Sequence, residues 1–98
     1  MKLINTTSSH GKLVRSQLAN TDASLVETYS AGNTDVIFTE APGHYEILIS
    51  NKHRAIKDSE ITTIREFFLK RKIDKSAQFE HIKTIHTSNL IEMTIPRA

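Results

Sequence analysis

The chain contains no cysteine and no tryptophan, and only two prolines and three glycines among its 98 residues. Without cysteine there can be no disulfide framework, no thiolate nucleophile and no cysteine-built zinc or iron–sulfur centre, so the fold has to hold by packing alone. No stretch comes near the roughly 18 to 20 consecutive apolar residues that a membrane-spanning helix needs, and the amino terminus lacks the apolar core of a secretory signal. A cytoplasmic protein without a membrane partner is the expectation. Several motifs are also missing. There is no G-x-S-x-G elbow for a serine nucleophile, no H-E-x-x-H for zinc, and no signature of an RNA- or DNA-binding module.

What is present fits one small globular domain over residues 1–98. Hydrophobic residues make up 38% of the chain and charged residues 24%, and at this length a second core would leave each half near the lower limit of independent stability. The net charge of +2 hides an asymmetry. Residues 1–51 carry three basic and five acidic side chains, residues 52–75 carry eight and four, and the remainder carries two of each. Basicity is concentrated in one segment.

Apolar periodicity predicts the elements. Residues 3–6 read as a short strand, and the hydroxyl cluster after it reads as the start of a helix over residues 11–20, with Leu13, Val14 and Leu18 on one face. Residues 24–31, 34–40 and 45–50 alternate with a period of two. Gly32-Asn33 and Pro42-Gly43 fall between them as hairpin turns, with positive φ expected at Gly32 or Asn33 and at Gly43. Asp58-Ser59 is the expected cap of a further helix carrying Ile61, Ile64, Phe67 and Phe68. Residues 73–86 are ambiguous, and Ala77, Phe79, Ile82 and Ile85 place them as a third helix. Ile91, Met93 and Ile95 alternate in a last strand stopped by Pro96. The order β-α-β-β-β-α-(α)-β implies an α+β fold, a two-layer sandwich with a mainly antiparallel sheet and helices packed on one face.

Two clusters are candidate sites. Thr7, Ser8, Ser9, His10 and Lys12 gather at the expected start of the first helix, where orphan N–H groups and the macrodipole favour an anion. The pattern is not a phosphate-binding G-x-x-x-x-G-K-S/T loop, because Thr6 stands at its first glycine and Leu13 at its last hydroxyl. A capped helix start explains the same residues without a ligand. Lys52, Arg54 and Lys57 precede the second helix, and Lys70, Arg71, Lys72 and Lys75 follow its apolar part. Cations at a helix carboxyl end are favoured by its dipole, while nucleic-acid binding would need both groups in one continuous stripe. The five histidines, His10, His44, His53, His81 and His86, lack metal-ligand spacing, and neither a metal nor a cofactor is implied.

From Met1-Lys2-Leu3-Ile4-Asn5 through Leu90-Ile91-Glu92-Met93, nearly the whole chain resembles a small domain-of-unknown-function family of lactic-acid bacteria. The resemblance implies a bacterial, cytoplasmic, stand-alone protein and carries over no catalytic or binding residue. The leading functional expectation is a non-catalytic binding or regulatory module that pairs through a sheet edge, as a homodimer or with an unknown protein partner. The alternatives are nucleic-acid or polyanion binding through residues 52–75, and a small enzyme acting on an anionic substrate at the Thr7, Ser8, Ser9, His10 and Lys12 loop.

Overall fold

The computed structural model describes residues 2–6 and 25–98. The helix expected over residues 11–20 lies outside them. Strand β1 (Ile4–Asn5) is followed by β2 (Leu25–Ala31), β3 (Thr34–Ala41) and β4 (His44–Asn51), then helix α1 (Asp58–Arg71), a single 3₁₀ turn (Phe79–His81), β5 (Lys83–Thr87) and β6 (Leu90–Pro96). The described strands form a six-stranded sheet in the order β1-β2-β3-β4-β6-β5, antiparallel throughout. With one helix among the described residues, this is an α+β fold.

The alternation seen in the sequence sets the pairing. Val36 faces Tyr29 and Ile49 across the sheet, and Phe38 faces Glu27 and Ile47. A slip of one residue would turn this whole set to the opposite face. Val36, Phe38, Ile47, Ile49, Ile91 and Ile95 have no exposed surface. Helix α1 closes over them with Ile64 and Phe68, both fully buried. The Phe68 ring stacks on Phe38 at 4.8 Å between centroids, and Tyr29 meets Phe67 and Phe68 edge-on at 5.5 and 5.2 Å. These are favoured arrangements for ring quadrupoles, and they lock the helix to the middle of the sheet.

Turn chemistry divides the two hairpins. Gly32 takes positive φ, at 61°, and Asn33 does not, which is the pattern of a type II′ rather than a type I′ turn. Gly43 departs from expectation. Its φ is not positive, so Pro42-Gly43 is not a type II turn. Its carbonyl accepts a hydrogen bond from the backbone N–H of Arg97 at 3.0 Å, which ties the turn to the end of the chain.

The start of α1 also differs from expectation. Lys57 is the N-cap, and the cap bond comes from inside the helix, where Glu60 Oε1 accepts the Lys57 backbone N–H at 3.1 Å. Glu60 is the N3 residue of a capping-box arrangement, so its carboxylate does the work expected of Asp58 and Ser59.

The third helix expected over residues 73–86 is replaced by a turn and a strand. Asp74 Oδ1 accepts the backbone N–H of Ser76 at 2.9 Å, an Asx turn that competes with helical hydrogen bonding. Ala77 forms a bridge with Arg97, and the Gln78 N–H donates to the Pro96 carbonyl at 2.7 Å. Backbone groups that a helix would satisfy locally are satisfied instead by the last strand. Strand β4 is a smaller correction. Its period marked it as half-buried, yet its interior residues are buried on both sheet faces, with Glu46 3% and Leu48 9% exposed.

Candidate functional site

A free sheet edge is built from residues upward by the β5–β6 hairpin. Ser88-Asn89 separates Thr87 from Leu90, which face each other. A two-residue hairpin is closed by a hydrogen-bonded pair, and in an antiparallel ladder such pairs alternate with non-hydrogen-bonded ones. Lys83, Ile85 and Thr87 therefore direct their N–H and C=O groups inward to β6. Thr84 and His86 direct theirs outward. The turn itself is fixed, because the Ser88 and Asn89 carbonyls accept the N–H groups of Ile56 and Asn51 at 2.8 and 3.1 Å.

All five residues of β5 are exposed. Its register against β6 runs without a bulge from Lys83 opposite Thr94 to Thr87 opposite Leu90, and it contains no proline. Bulges, prolines and brevity are the usual protections of an edge. Among the described strands the opposite edge is β1, which has two residues. On β5 the remaining device is Lys83, which sits at the end of the strand. Ile85 at its centre is 61% exposed, on the sheet face opposite α1.

The other predicted residues are scattered. Thr7, Ser8, Ser9, His10 and Lys12 lie outside the described residues. Lys52, Arg54 and Lys57 sit at the amino end of α1, and Lys70, Arg71, Lys72 and Lys75 at or beyond its carboxyl end. The 14-residue helix between them is roughly 21 Å long. Three of the seven are engaged. Arg54 donates to both carboxylate oxygens of Glu60 at 2.6 and 2.8 Å, Lys72 pairs with Glu27 at 3.2 Å, and the Arg71 guanidinium lies 4.4 Å from the centre of the Phe67 ring. The exposed helix surface between the two groups carries Arg65 beside Glu66.

The described histidines also stand apart. His44 Nε2 is 2.9 Å from Glu46 Oε1, His81 is near Glu80, and His86 lies on the free edge. Among the described residues, no group of three or more His, Asp or Glu side chains converges as a metal site would require. A hollow of 380 Å³ on the face away from α1 is lined in part by Thr6, Thr28, Asp35, Ile37 and Ser50. Tyr29 also borders it, and burial, followed by its bond to Glu27, pushes the phenol up to about 12. A phenol held neutral in this way is no general base near neutral pH.

Sequence reasoning missed the β5 edge. The signal was there in Thr84, Ile85 and Thr87, β-branched residues followed by the turn-forming Ser88-Asn89. Ala77, Phe79 and Ile82 at helical spacing outweighed it.

The geometry defines an α+β protein with an antiparallel sheet whose β5 edge pairs with no other strand among the described residues. The chain belongs to the family known as domain of unknown function DUF1827, whose model matches residues 1–96. A conserved protein of unknown function from Streptococcus thermophilus is a bacterial relative with a solved structure. It is 66% identical, with 100% of this chain and 98% of that one aligned, at a TM-score of 0.89. No curated protein matches. No helix among the described residues is long and apolar enough to cross a membrane.

Proposed function

We propose that this protein is a non-catalytic binding module that recognises a partner by strand addition at β5. The observation that carries the reading is the edge itself: five consecutive exposed residues in unbroken register, with the backbone groups of Thr84 and His86 turned outward. In strand addition, main-chain hydrogen bonds supply affinity and alternate side chains supply selectivity. Here the alternate side chains are Lys83, Ile85 and Thr87 on one face, and Thr84 and His86 on the other.

This reading takes the architecture as a two-layer sandwich with its helices on one sheet face, which leaves the edge clear, and places the protein in the cytoplasm. The packing of α1 through Phe68 and Ile64 supports the first point.

The test is a titration of the ¹⁵N-labelled protein with a peptide of residues 82–88. The expected result is saturable shifts of the Thr84 and His86 amides, spreading into β6. His86→Pro, which removes an outward donor and leaves the β5–β6 ladder intact, should abolish them. Unchanged β5 amides at peptide concentrations of about 1 mM would overturn the reading, since binding weaker than that is about 4 kcal/mol or less.

A further inference from the structure

Resting on that strand-addition reading, we infer that the partner of β5 is a second copy of the same strand, paired antiparallel about a two-fold axis through Ile85. The edge is self-complementary in this register. Ile85 faces Ile85 of the second copy, Lys83 faces Thr87, and Thr84 faces His86. Because the outward backbone groups belong to Thr84 and His86, each Thr84–His86 pair across the axis exchanges both N–H···O bonds. The Ile85 pair then falls at a non-hydrogen-bonded position, where side chains approach closest. The two 61% exposed Ile85 side chains cover one another.

Other registers are worse for physical reasons. Centring the axis on Lys83 sets two ammonium groups opposite each other, which is destabilising. Centring it on Thr84 or His86 leaves part of the five-residue strand without a partner and moves each Ile85 off its counterpart. With the axis at Ile85 the two Lys83 residues are four strand positions apart, roughly 13 Å. That exceeds the screening length of about 8 Å at physiological salt. Residues 83–87 carry no acidic side chain, so the charge that protects this edge repels at its ends and not at its centre. The product is one continuous antiparallel sheet with a two-fold at its middle, an isologous contact that closes after two chains. A contact of this size forms a reversible, concentration-dependent dimer.

Cysteine substitution tests the register directly, because the chain has no cysteine of its own and any disulfide must join two copies at the chosen position. A non-hydrogen-bonded pair has Cα atoms about 4.5 Å apart, within disulfide reach, whereas the diagonal pair of Thr84 residues is about 7 to 8 Å apart and out of reach. Under mild oxidation Ile85→Cys should cross-link at least about tenfold faster than Thr84→Cys. Sedimentation equilibrium on the native chain, up to about 1 mM, should show mass rising reversibly toward twice the monomer. His86→Pro should hold the chain monomeric. Equal or absent cross-linking, or a native chain that stays monomeric, would overturn self-pairing. If the 82–88 peptide still binds β5 of a monomeric chain, strand addition stands and only the pairing of two folded copies is wrong. If neither occurs, both fall.

Discussion

The Glu60 carboxylate joins helix, loop and sheet. It accepts both Arg54 Nη bonds, the Lys57 backbone N–H and the Thr34 hydroxyl at 3.2 Å. Asn51 extends the network, donating to Thr34 Oγ1 at 3.1 Å and accepting the His53 and Arg54 backbone N–H groups. A carboxylate satisfied this fully is stabilised in its charged form, and the bonds from Arg54, foremost among several causes, hold Glu60 down at about 2 against an ordinary 4.5. Because the folded-state value is the lower one, the stabilisation is complete above about 4.5 and is lost as pH falls toward about 2. Glu60→Gln should cost about 2 kcal/mol at pH 7 and flatten that acid dependence, as read by urea unfolding from pH 7 to 2. An unaltered acid limb in the variant would rule this account out. Thr39 is the opposite case. It is fully buried, and its hydroxyl has no hydrogen-bond partner among the described residues. Thr39→Val keeps the shape and the β-branching while removing an unsatisfied polar atom, so it should raise stability by about 1 kcal/mol.

At the scale of elements, the two hairpin glycines are equally unobstructed, since a Cβ built at either meets nothing within 4 Å. Only the backbone distinguishes them. Gly32→Ala forces an L-residue to φ near +61° and should lower stability by about 1 kcal/mol. Gly43→Ala requires no such conformation and should raise it by about 0.5 kcal/mol by restricting the unfolded chain. Opposite shifts in melting temperature for the two variants are the expected outcome, and shifts of the same sign would show the turn assignment to be wrong. The same contrast explains what the sequence could disclose. Strands β2 to β4, β6 and α1 were legible because the apolar period matched the element, as at Phe38, Ile47 and Ile64, even though the Pro42-Gly43 turn, the two-sided burial of β4 and the cap of α1 departed from expectation. Residues 73–86 were not, because their structure is decided far away. Ala77 is buried by its bridge to Arg97, not by a helix face, and Ile85, which helical spacing would turn inward, stands exposed. Half of the candidate site was readable as the β-branching of Thr84, Ile85 and Thr87. The other half, which edge of the sheet stays open, depends on β6 inserting between β4 and β5, and no local pattern encodes that.

For the molecule as a whole, the consequence is that the carboxyl-terminal residues close the structure. Strand β6 pairs with β4 across the whole of α1 and the β5 hairpin, Tyr45 opposite Ile95 and Ile49 opposite Ile91. Arg97 then fastens the chain end beyond β6. Its guanidinium lies 4.6 Å from the centre of the Tyr45 ring, donates to the Ala41 carbonyl at 3.1 Å, and reaches Glu40 and Asp74 at 3.5 and 3.4 Å. Its backbone N–H holds Gly43, and the Ala98 N–H holds the Ser76 carbonyl at 2.9 Å. One side chain thus links the β3–β4 turn, the segment after α1 and the chain terminus. The contacts to Glu40 and Asp74 are long and partly solvated, so each contributes little alone. The ring contact and the carbonyl bond both depend on a planar, forked donor. Arg97→Ala should therefore lower stability by about 1 to 2 kcal/mol in urea unfolding. Arg97→Lys, which keeps the charge and loses the fork, should recover less than half of that. Full recovery by lysine would mean that charge alone closes the fold. Partial recovery would mean that the planar contact with Tyr45 and Ala41 does so, and that the segment feeding β5 is anchored by shape more than by charge.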